Sequence, residues 1–220
     1  LAVRSLADPS AGVVVLADPA EGSDDAASAI DWFFPSPDGT LVAYGVSEGG
    51  TENSVLRVVR SDDASHLSDL IPNCRACSVA WEPDGSGFCY TRYPEGDEYH
   101  RAVHHHTIGA DWRDDPVVWA EWPTAETWPA VLMSPDGRFV VVEAMVGWQR
   151  TDLHVLDRAD GTWRPLIEGV ESINTGWAFV TDSVLVGTTT HGAPSGRVVR
   201  VDLGAVDLGP DAWETVVPEG

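Results

Sequence analysis

The stretch Gly45-Val46-Ser47-Glu48-Gly49 matches G-x-S-x-G, the pattern that surrounds the nucleophilic serine of many hydrolases. In that role the serine needs a strand before it, then a sharp turn and a helix. Residues 51–59 instead alternate between polar and apolar positions, which predicts a returning strand. The sequence therefore predicts a β-hairpin here, and Ser47 is not expected to act as a nucleophile.

Cys74 and Cys77 have the C-x-x-C spacing of a zinc half-site or a redox pair. A zinc site needs a second pair of ligands at suitable spacing, and a redox pair needs a βαβ unit; neither pattern is visible. Cys77 leads into an apolar strand ending at Trp81, so we expect a small core residue. Together with Cys89 the cysteines are odd in number, which argues against a disulfide framework and favours a reducing, cytoplasmic setting.

Three consecutive histidines, His104 to His106, place two imidazoles on one face of a strand, as some metal sites do. The flanking residues have the pattern of an ordinary strand, and spacing alone places no carboxylate or third histidine beside them. The sequence therefore indicates no metal site and no cofactor.

The charge of the chain is strongly acidic, with 35 Asp and Glu against 13 Lys and Arg, a net of −22. This balance argues against nucleic-acid partners, because little positive charge is available to neutralise phosphates, and against anionic membrane surfaces. No apolar run approaches the roughly 18 residues of a membrane-spanning helix. The acidity keeps a protein soluble or, as the alternative, steers a cationic or polar ligand.

Three copies of Pro-Asp-Gly, at Pro37, Pro83 and Pro135, indicate where the strands around these residues begin and end. Their aspartates are 46 and 52 residues apart, and a degenerate copy at Thr181-Asp182-Ser183 follows 46 residues later. Proline fixes φ, aspartate bonds nearby backbone and glycine supplies a positive φ, so each copy predicts a tight turn between strands. A turn-and-strand unit repeated every 40 to 50 residues, roughly, is typical of β-propeller blades.

Short apolar strands bounded by Gly, Pro, Asp or Asn follow each turn, and helical patterns are almost absent. The predicted fold class is all-β, a β-propeller with about four full four-stranded blades. The predicted boundaries of these blades are 31–75, 76–125, 126–172 and 173–220. Residues 1–30, which contain the apolar run Gly12 to Leu16, are expected to be the end of a preceding, partial blade.

An arc of four blades leaves unpaired sheet edges, which predicts self-association through those edges. The N-terminus begins within an apolar pattern at Leu1-Ala2-Val3. We therefore expect the chain to be a fragment of a larger protein.

The chain resembles the N-terminal propeller of the prolyl oligopeptidase family from about Val13 to Glu219. The resemblance is carried by Asp31-Trp32-Phe33-Phe34-Pro35-Ser36-Pro37-Asp38-Gly39 and the following Val42 to Gly50, by Ser78-Val79-Ala80-Trp81 with Tyr90-Thr91-Arg92-Tyr93-Pro94, and by Asp152-Leu153 with Leu156-Asp157.

The resemblance implies a serine peptidase in which a seven-bladed propeller caps an α/β-hydrolase domain and limits entry to short, proline-containing peptides. The family's catalytic triad belongs to the hydrolase domain, so it is carried onto no position of this sequence. The 220-residue chain alone is expected to be inactive, and its implied partners are the peptides and the hydrolase domain of the same parent chain. The alternative is a stand-alone propeller scaffold that binds peptides or proteins without catalysis.

The resemblance also implies which side chains contact substrate. Alignment on the run that begins at Ser134 places Trp128 and Trp148 at substrate-contacting positions. Cys89 falls where the family often carries a larger aromatic residue, and Arg92 and Arg150 are candidates for polar contacts across the domain interface. Aromatic faces suit proline rings, whereas the alternative is that both tryptophans only fill space between blades.

Overall fold

The computed structural model describes residues 1–5, 8, 10, 12–19 and 27–220. The secondary structure there is eighteen β-strands and two single-turn 3-10 helices, at Trp112–Asp114 and Pro210–Ala212. Two strands form a small antiparallel sheet, and the other sixteen form four antiparallel sheets of four strands each. Within the described residues, no helix is long and apolar enough to cross a bilayer.

The strands of the four larger sheets follow the chain in order, so each sheet is a meander of neighbouring strands. We call them blades 1 to 4. Blade 1 holds β3 (Ser28–Pro35), β4 (Leu41–Glu48), β5 (Val55–Arg60) and β6 (His66–Ile71); blade 2 holds β7 (Val79–Trp81), β8 (Gly87–Arg92), β9 (Ala102–Thr107) and β10 (Val117–Trp119); blade 3 holds β11 (Trp128–Met133), β12 (Phe139–Val146), β13 (Arg150–Asp157) and β14 (Thr162–Ile167); blade 4 holds β15 (Asn174–Phe179), β16 (Val184–Thr189), β17 (Arg197–Asp202) and β18 (Glu214–Val217).

The predicted all-β propeller architecture is confirmed by these four sheets. The first blade starts earlier than its predicted boundary at residue 31, because β3 begins at Ser28. The predicted closing strand in Gly12 to Leu16 is shorter than expected: among the described residues, β2 (Val14–Val15) pairs with β1 (Ala2–Val3). Residues 6, 7, 9, 11 and 20–26 of the predicted segment 1–30 lie outside the described part of the chain.

The Pro-Asp-Gly turns have the geometry that their residue types predict. In the first, the Gly39 amide donates to the Ser36 carbonyl over 2.9 Å, and Gly39 has φ +71°. The Asp38 carboxylate accepts the Thr40 amide at 3.0 Å and the Ser36 hydroxyl at 2.7 Å. These hydrogen bonds, chiefly that from the Thr40 amide, lower the pKa of Asp38. The turn therefore leads directly into β4.

The chain forms two compact units, Leu1–Asp97 with His104–Val118, and Glu98–Val103 with Trp119–Gly220. In the first unit, apolar side chains of β4, β5, β7 and β8 form a buried core around Leu56, Val58 and Phe88. In the second unit, a core of blades 3 and 4 includes Leu153 and Leu185.

Glycine lets a tryptophan lie flat against the neighbouring strand in both units. Trp32 of β3 faces Gly45 of β4, and Trp177 of β15 covers Gly187 of β16; an added Cβ at either glycine would overlap the indole ring. Trp177 also meets Trp213 edge to face, with ring centroids 5.5 Å apart and planes at 73°. The second glycine of this pair therefore helps position both indoles of blade 4.

Candidate functional site

One end of blade 3 gathers large apolar side chains at the surface. Trp128 begins β11 and is the direct cross-strand partner of Met145 in β12, so their side chains share one face of the sheet. The turn from β12 to β13 carries Trp148, and Arg150 begins β13 opposite Val146. We call Trp128, Met145, Trp148 and Arg150 the blade-3 end.

The exposure of these residues is unusual for their size. Trp148 is 90% exposed, and Trp128 and Met145 are partly exposed, at 37% and 38%. Leaving this much apolar surface in water forgoes the free energy of burying it. Adjacent exposed aromatic and thioether groups are typical of surfaces that receive an apolar ligand.

The ring of Trp128 packs against a buried arginine. The guanidinium of Arg101, a residue buried in the second unit, lies 4.6 Å from the centroid of the Trp128 ring. The indole Nε1 of Trp122 donates to the Arg101 carbonyl over 2.7 Å and fixes the backbone there. This cation–π contact orients the Trp128 ring. No sequence motif indicated it, because Arg101 is 27 positions away.

Arg150 is positioned by a buried carboxylate. Its Nε donates to Asp152 Oδ1 at 2.8 Å, and its Nη2 donates to the other oxygen, forming a bidentate ion pair. Asp152 is fully buried and also accepts the Gly169 amide at 3.0 Å. The hydrogen bonds to Asp152 raise the pKa of Arg150. The guanidinium therefore has a fixed direction at the edge of the blade-3 end.

Cys89 lies elsewhere, in β8 of the first unit, opposite Ala80. It is only 2% exposed, so its thiol is not presented to solvent in this chain. The roles predicted for Trp128, Trp148, Arg150 and Cys89 in substrate contact stay predictions. The structure places the first three at one end of one sheet, with Arg150 on the face opposite to that of Trp128.

A buried polar cluster in the first unit surrounds His106. Its Nε2 lies 2.8 Å from Asp69 Oδ1, and its Nδ1 lies 3.0 Å from the Asp115 carboxylate, which also accepts the Tyr90 hydroxyl at 2.8 Å. Burial lowers the pKa of His106, but the hydrogen bonds and charges of both aspartates outweigh this and raise it. The cluster stabilises the packing of β6, β8 and β9.

The residues of the other sequence motifs are buried in the structure. Ser47 is a buried residue of β4, which continues through a turn into β5, so the predicted hairpin is confirmed. Cys74 and Cys77 are buried in the core of the first unit, as predicted for Cys77. His104 is buried, and burial lowers its pKa to about 4. Across the described ranges, no cluster of three or more His, Cys, Asp or Glu side chains has the arrangement of a metal site.

Four successive four-stranded antiparallel meanders, three of them with a Pro-Asp-Gly turn between their first and second strands, define the class of the protein as a β-propeller. The chain belongs to the prolyl oligopeptidase N-terminal β-propeller domain family, whose model matches residues 2–220.

Curated relatives agree with this family. A prolyl endopeptidase of Elizabethkingia miricola is 24% identical over 221 residues, which cover 96% of this chain and 31% of the relative. A prolyl oligopeptidase of Omphalotus olearius, ophP, is 31% identical over 149 residues, covering 59% of this chain and 20% of the relative. The chain thus spans less than a third of the length of these relatives.

Solved structures share the fold. A structure from a study of two prolyl endopeptidases and their inter-domain dynamics superposes with a TM-score of 0.85 and 26% identity, covering 96% of this chain and 32% of that one. Prolyl oligopeptidase B of Galerina marginata, bound to a 35mer hydrolysis and macrocyclization substrate, gives a TM-score of 0.78 at 23% identity, covering 92% of this chain and 30% of that one.

Proposed function

We propose that the chain is the propeller portion of a prolyl oligopeptidase-like serine peptidase and that it gates and positions short, proline-containing peptides. The observation that carries the proposal is the family match over residues 2–220 in a chain that spans about 31% of its relatives. The triad that performs acyl transfer belongs, in this proposal, to an α/β-hydrolase domain of the same parent chain. A cytoplasmic setting is proposed with it, consistent with three buried cysteines that form no disulfide.

The blade-3 end supports the positioning role. Exposed indole faces at Trp128 and Trp148 offer flat apolar surfaces to proline rings, and Arg150 offers a fixed donor to a peptide carbonyl. A related protein, prolyl oligopeptidase B of Galerina marginata, has been solved with a 35mer peptide substrate. Peptide binding is therefore the activity for which we propose this surface.

The peptidase role is tested on the protein encoded by the complete reading frame that contains these 220 residues. We expect it to cleave a fluorogenic glycyl-prolyl substrate and to react covalently with a fluorophosphonate probe, because acyl transfer needs an activated serine. The 220-residue chain should do neither. A full-length product that binds proline-containing peptides but neither cleaves them nor reacts with the probe would overturn the peptidase and establish the scaffold alternative.

Substitution Trp148→Ala in the same full-length protein tests the positioning role. We expect KM for a prolyl peptide to rise about 3- to 10-fold, the loss of one aromatic contact, while kcat changes less than about twofold because the chemical groups are untouched. Steady-state kinetics measure both constants.

The matched control is Val206→Ala, which removes a fully exposed apolar side chain of the second unit away from the blade-3 end. It should leave KM unchanged. Equal KM values for Trp148→Ala and the parent protein would show that Trp148 does not contact substrate.

A further inference from the structure

A buried histidine joins two blades of the first unit. His106 lies in β9 of blade 2, and its ring is enclosed between Asp69 of β6, in blade 1, and Asp115, which follows the first 3-10 helix. The side chains of His106 and Asp69 are fully buried, and that of Asp115 is 4% exposed. Asp69 Oδ1 also accepts the Gly109 amide over 2.6 Å, so blade 1 is linked to the chain after β9 as well as to β9 itself.

The contacts of the His106 ring determine its protonation state. Nε2 lies 2.8 Å from Asp69 Oδ1, and Nδ1 lies 3.0 Å from each oxygen of Asp115. A carboxylate only accepts hydrogen bonds, and a neutral imidazole carries a single N–H. Both ring nitrogens can therefore donate only when His106 is an imidazolium.

Two neighbouring groups keep one protonation state while His106 titrates. Tyr90 of β8 donates its hydroxyl to Asp115 Oδ2 over 2.8 Å. Burial raises the pKa of Tyr90, and the charges of Asp115 and Cys74 act in the same direction, so the hydroxyl stays protonated. Burial disfavours the charged form of Asp69, but its hydrogen bonds lower its pKa overall, so this carboxyl stays ionised.

The second histidine of β9 supplies no competing charge. His104 lies two residues before His106, on the same face of the strand. Burial lowers the pKa of His104 to about 4, and the charge of Arg92 at the end of β8 contributes to this. The imidazolium of His106 is thus the cation that faces Asp69 and Asp115 directly.

Loss of the His106 proton leaves one N–H for two carboxylates. We expect this N–H to stay on Nε2, because Asp69 is fully buried and its Oδ2 has no hydrogen-bond partner among the described residues. The lone pair of Nδ1 then faces the carboxylate of Asp115, and these two groups repel each other. Asp115 is the carboxylate whose side chain borders solvent, so it is the one that leaves.

Asp115 is connected to an aromatic side chain that would report its movement. Its backbone amide donates to the Trp112 carbonyl over 3.2 Å. Trp112 packs, partly buried, against the core of the first unit. The guanidinium groups of Arg92 and Arg113 lie 4.7 Å and 4.6 Å from the centroid of its ring. A displacement of Asp115 therefore changes the surroundings of the Trp112 ring.

We propose that His106 is a pH-sensitive link between blades 1 and 2, which holds residues 112–115 in place when it is protonated and releases them when it is neutral. Burial acts against it, but the hydrogen bonds and charges of both aspartates raise the pKa of His106. The link is therefore fully formed below pH 6.5, the ordinary histidine value, and is lost as pH rises through the raised value. It lies within the first unit and does not depend on the proposed peptidase function.

The test is nuclear magnetic resonance of the ¹⁵N,¹³C-labelled 220-residue chain between about pH 5.5 and about pH 9. Long-range ¹H–¹⁵N spectra report the protonation of each His106 nitrogen, and Trp112→Phe assigns the ring ¹H–¹³C signals of Trp112. We expect both His106 nitrogens to be protonated at pH 6.5 and Nε2 alone at the alkaline end. The Trp112 signals should shift with the same midpoint as His106.

Asp115→Asn tests the link, because an amide has nearly the shape of the carboxylate but can donate to a neutral Nδ1. The midpoint of His106 should fall by at least about one pH unit, since an opposite charge has been removed. Asp114→Asn is the matched control: Asp114 is exposed in the 3-10 helix, and its replacement should leave the midpoint unchanged. The other indole signals report that both variants remain folded.

Three results would each overturn the proposal. The first is a His106 ring with a single proton at pH 6.5. The second is a set of Trp112 signals that do not follow the His106 midpoint. The third is an equal midpoint for the Asp115→Asn and Asp114→Asn variants.

Discussion

Glu143 is an acidic side chain whose pKa is raised by its surroundings. It lies in β12 between the partners Ala130 and Leu153, and it accepts a hydrogen bond from the Trp177 backbone amide. Burial raises the pKa of Glu143 to about 7, because that one hydrogen bond only partly compensates the carboxylate for lost hydration.

We therefore expect the stability of the chain to depend on the ionisation of Glu143. Its folded pKa of about 7 lies above the unfolded value of 4.5, so its contribution is fully present below pH 4.5 and is lost as pH rises through 7. The substitution Glu143→Gln should raise the free energy of unfolding at pH 8 by an amount on the order of 1–3 kcal/mol. Urea unfolding of both proteins between pH 5 and about pH 8 measures the difference.

Glu171→Gln serves as control, since Glu171 is exposed and its removal should leave the pH profile unchanged. If Glu143→Gln and the parent chain lose stability in parallel over this range, then the Glu143 carboxyl is not responsible.

The positions of single residues could be predicted from the sequence where the neighbouring residues along the chain determine them. His104 and His106 were expected on one face of a strand, and both are buried in β9. The aspartates that bond to His106 were not predicted, because Asp69 is 37 residues away in sequence and reaches it only through packing of the first unit.

At the scale of the element, the turn before the second strand of blades 1 to 3 repeats the same backbone hydrogen bond. The Gly137 amide donates to Ser134 over 2.8 Å, as Gly39 does to Ser36, and both glycines have φ above +70°. A residue with a Cβ in that conformation is strained, whatever the space around it.

Gly39→Ala should accordingly destabilise the chain through its backbone. No atom lies within 4 Å of an added Cβ, so the φ of +71° is the cause of the expected loss of about 1–2 kcal/mol. Urea denaturation should show a lower midpoint with an unchanged slope.

Gly12→Ala is the matched control, because Gly12 has equally open space and no left-handed φ. Its effect should stay within about 0.5 kcal/mol. Equal losses for the two variants would show that the turn geometry carries no special cost.

The repeating turns made blades 1 to 3 predictable, because Pro-Asp-Gly determines its own conformation within four residues. The strand predicted to follow the second of these turns is β8, at Gly87–Arg92. The start of β3 at Ser28 and the pairing of β1 with β2 were missed, since no such turn precedes them and pairing is set by distant contacts.

At the scale of the whole molecule, the net charge of −22 means that the acidic side chains repel one another. The thirteen basic residues, all of them arginines, offset this repulsion only in part. Several of these arginines form ion pairs with acidic side chains, as Arg138 does with Asp157 at 2.7 Å and Arg75 with Glu52 at 2.9 Å. The remaining carboxylates repel one another more in the compact state than in the extended one.

We expect sodium chloride to stabilise the chain. Raising the ionic strength from about 0.01 M to about 0.15 M shortens the Debye length from roughly 30 Å to roughly 8 Å, which screens the repulsion. The thermal midpoint should rise by about 2–4 °C, equivalent to about 1 kcal/mol. Differential scanning calorimetry measures it, and potassium chloride should act equally. A midpoint that falls with added salt would mean that attractive ion pairs outweigh the repulsion.

The edge-to-face pair of Trp177 and Trp213 gives blade 4 an optical signature of its own. Trp177 belongs to the first strand of that blade and Trp213 directly precedes its last, so the rings meet only when the meander is closed. Two indoles 5.5 Å apart and inclined by 73° should couple their electronic transitions, and we expect a paired positive and negative band in far-ultraviolet circular dichroism. Closure of the last blade can thus be followed in solution without any label.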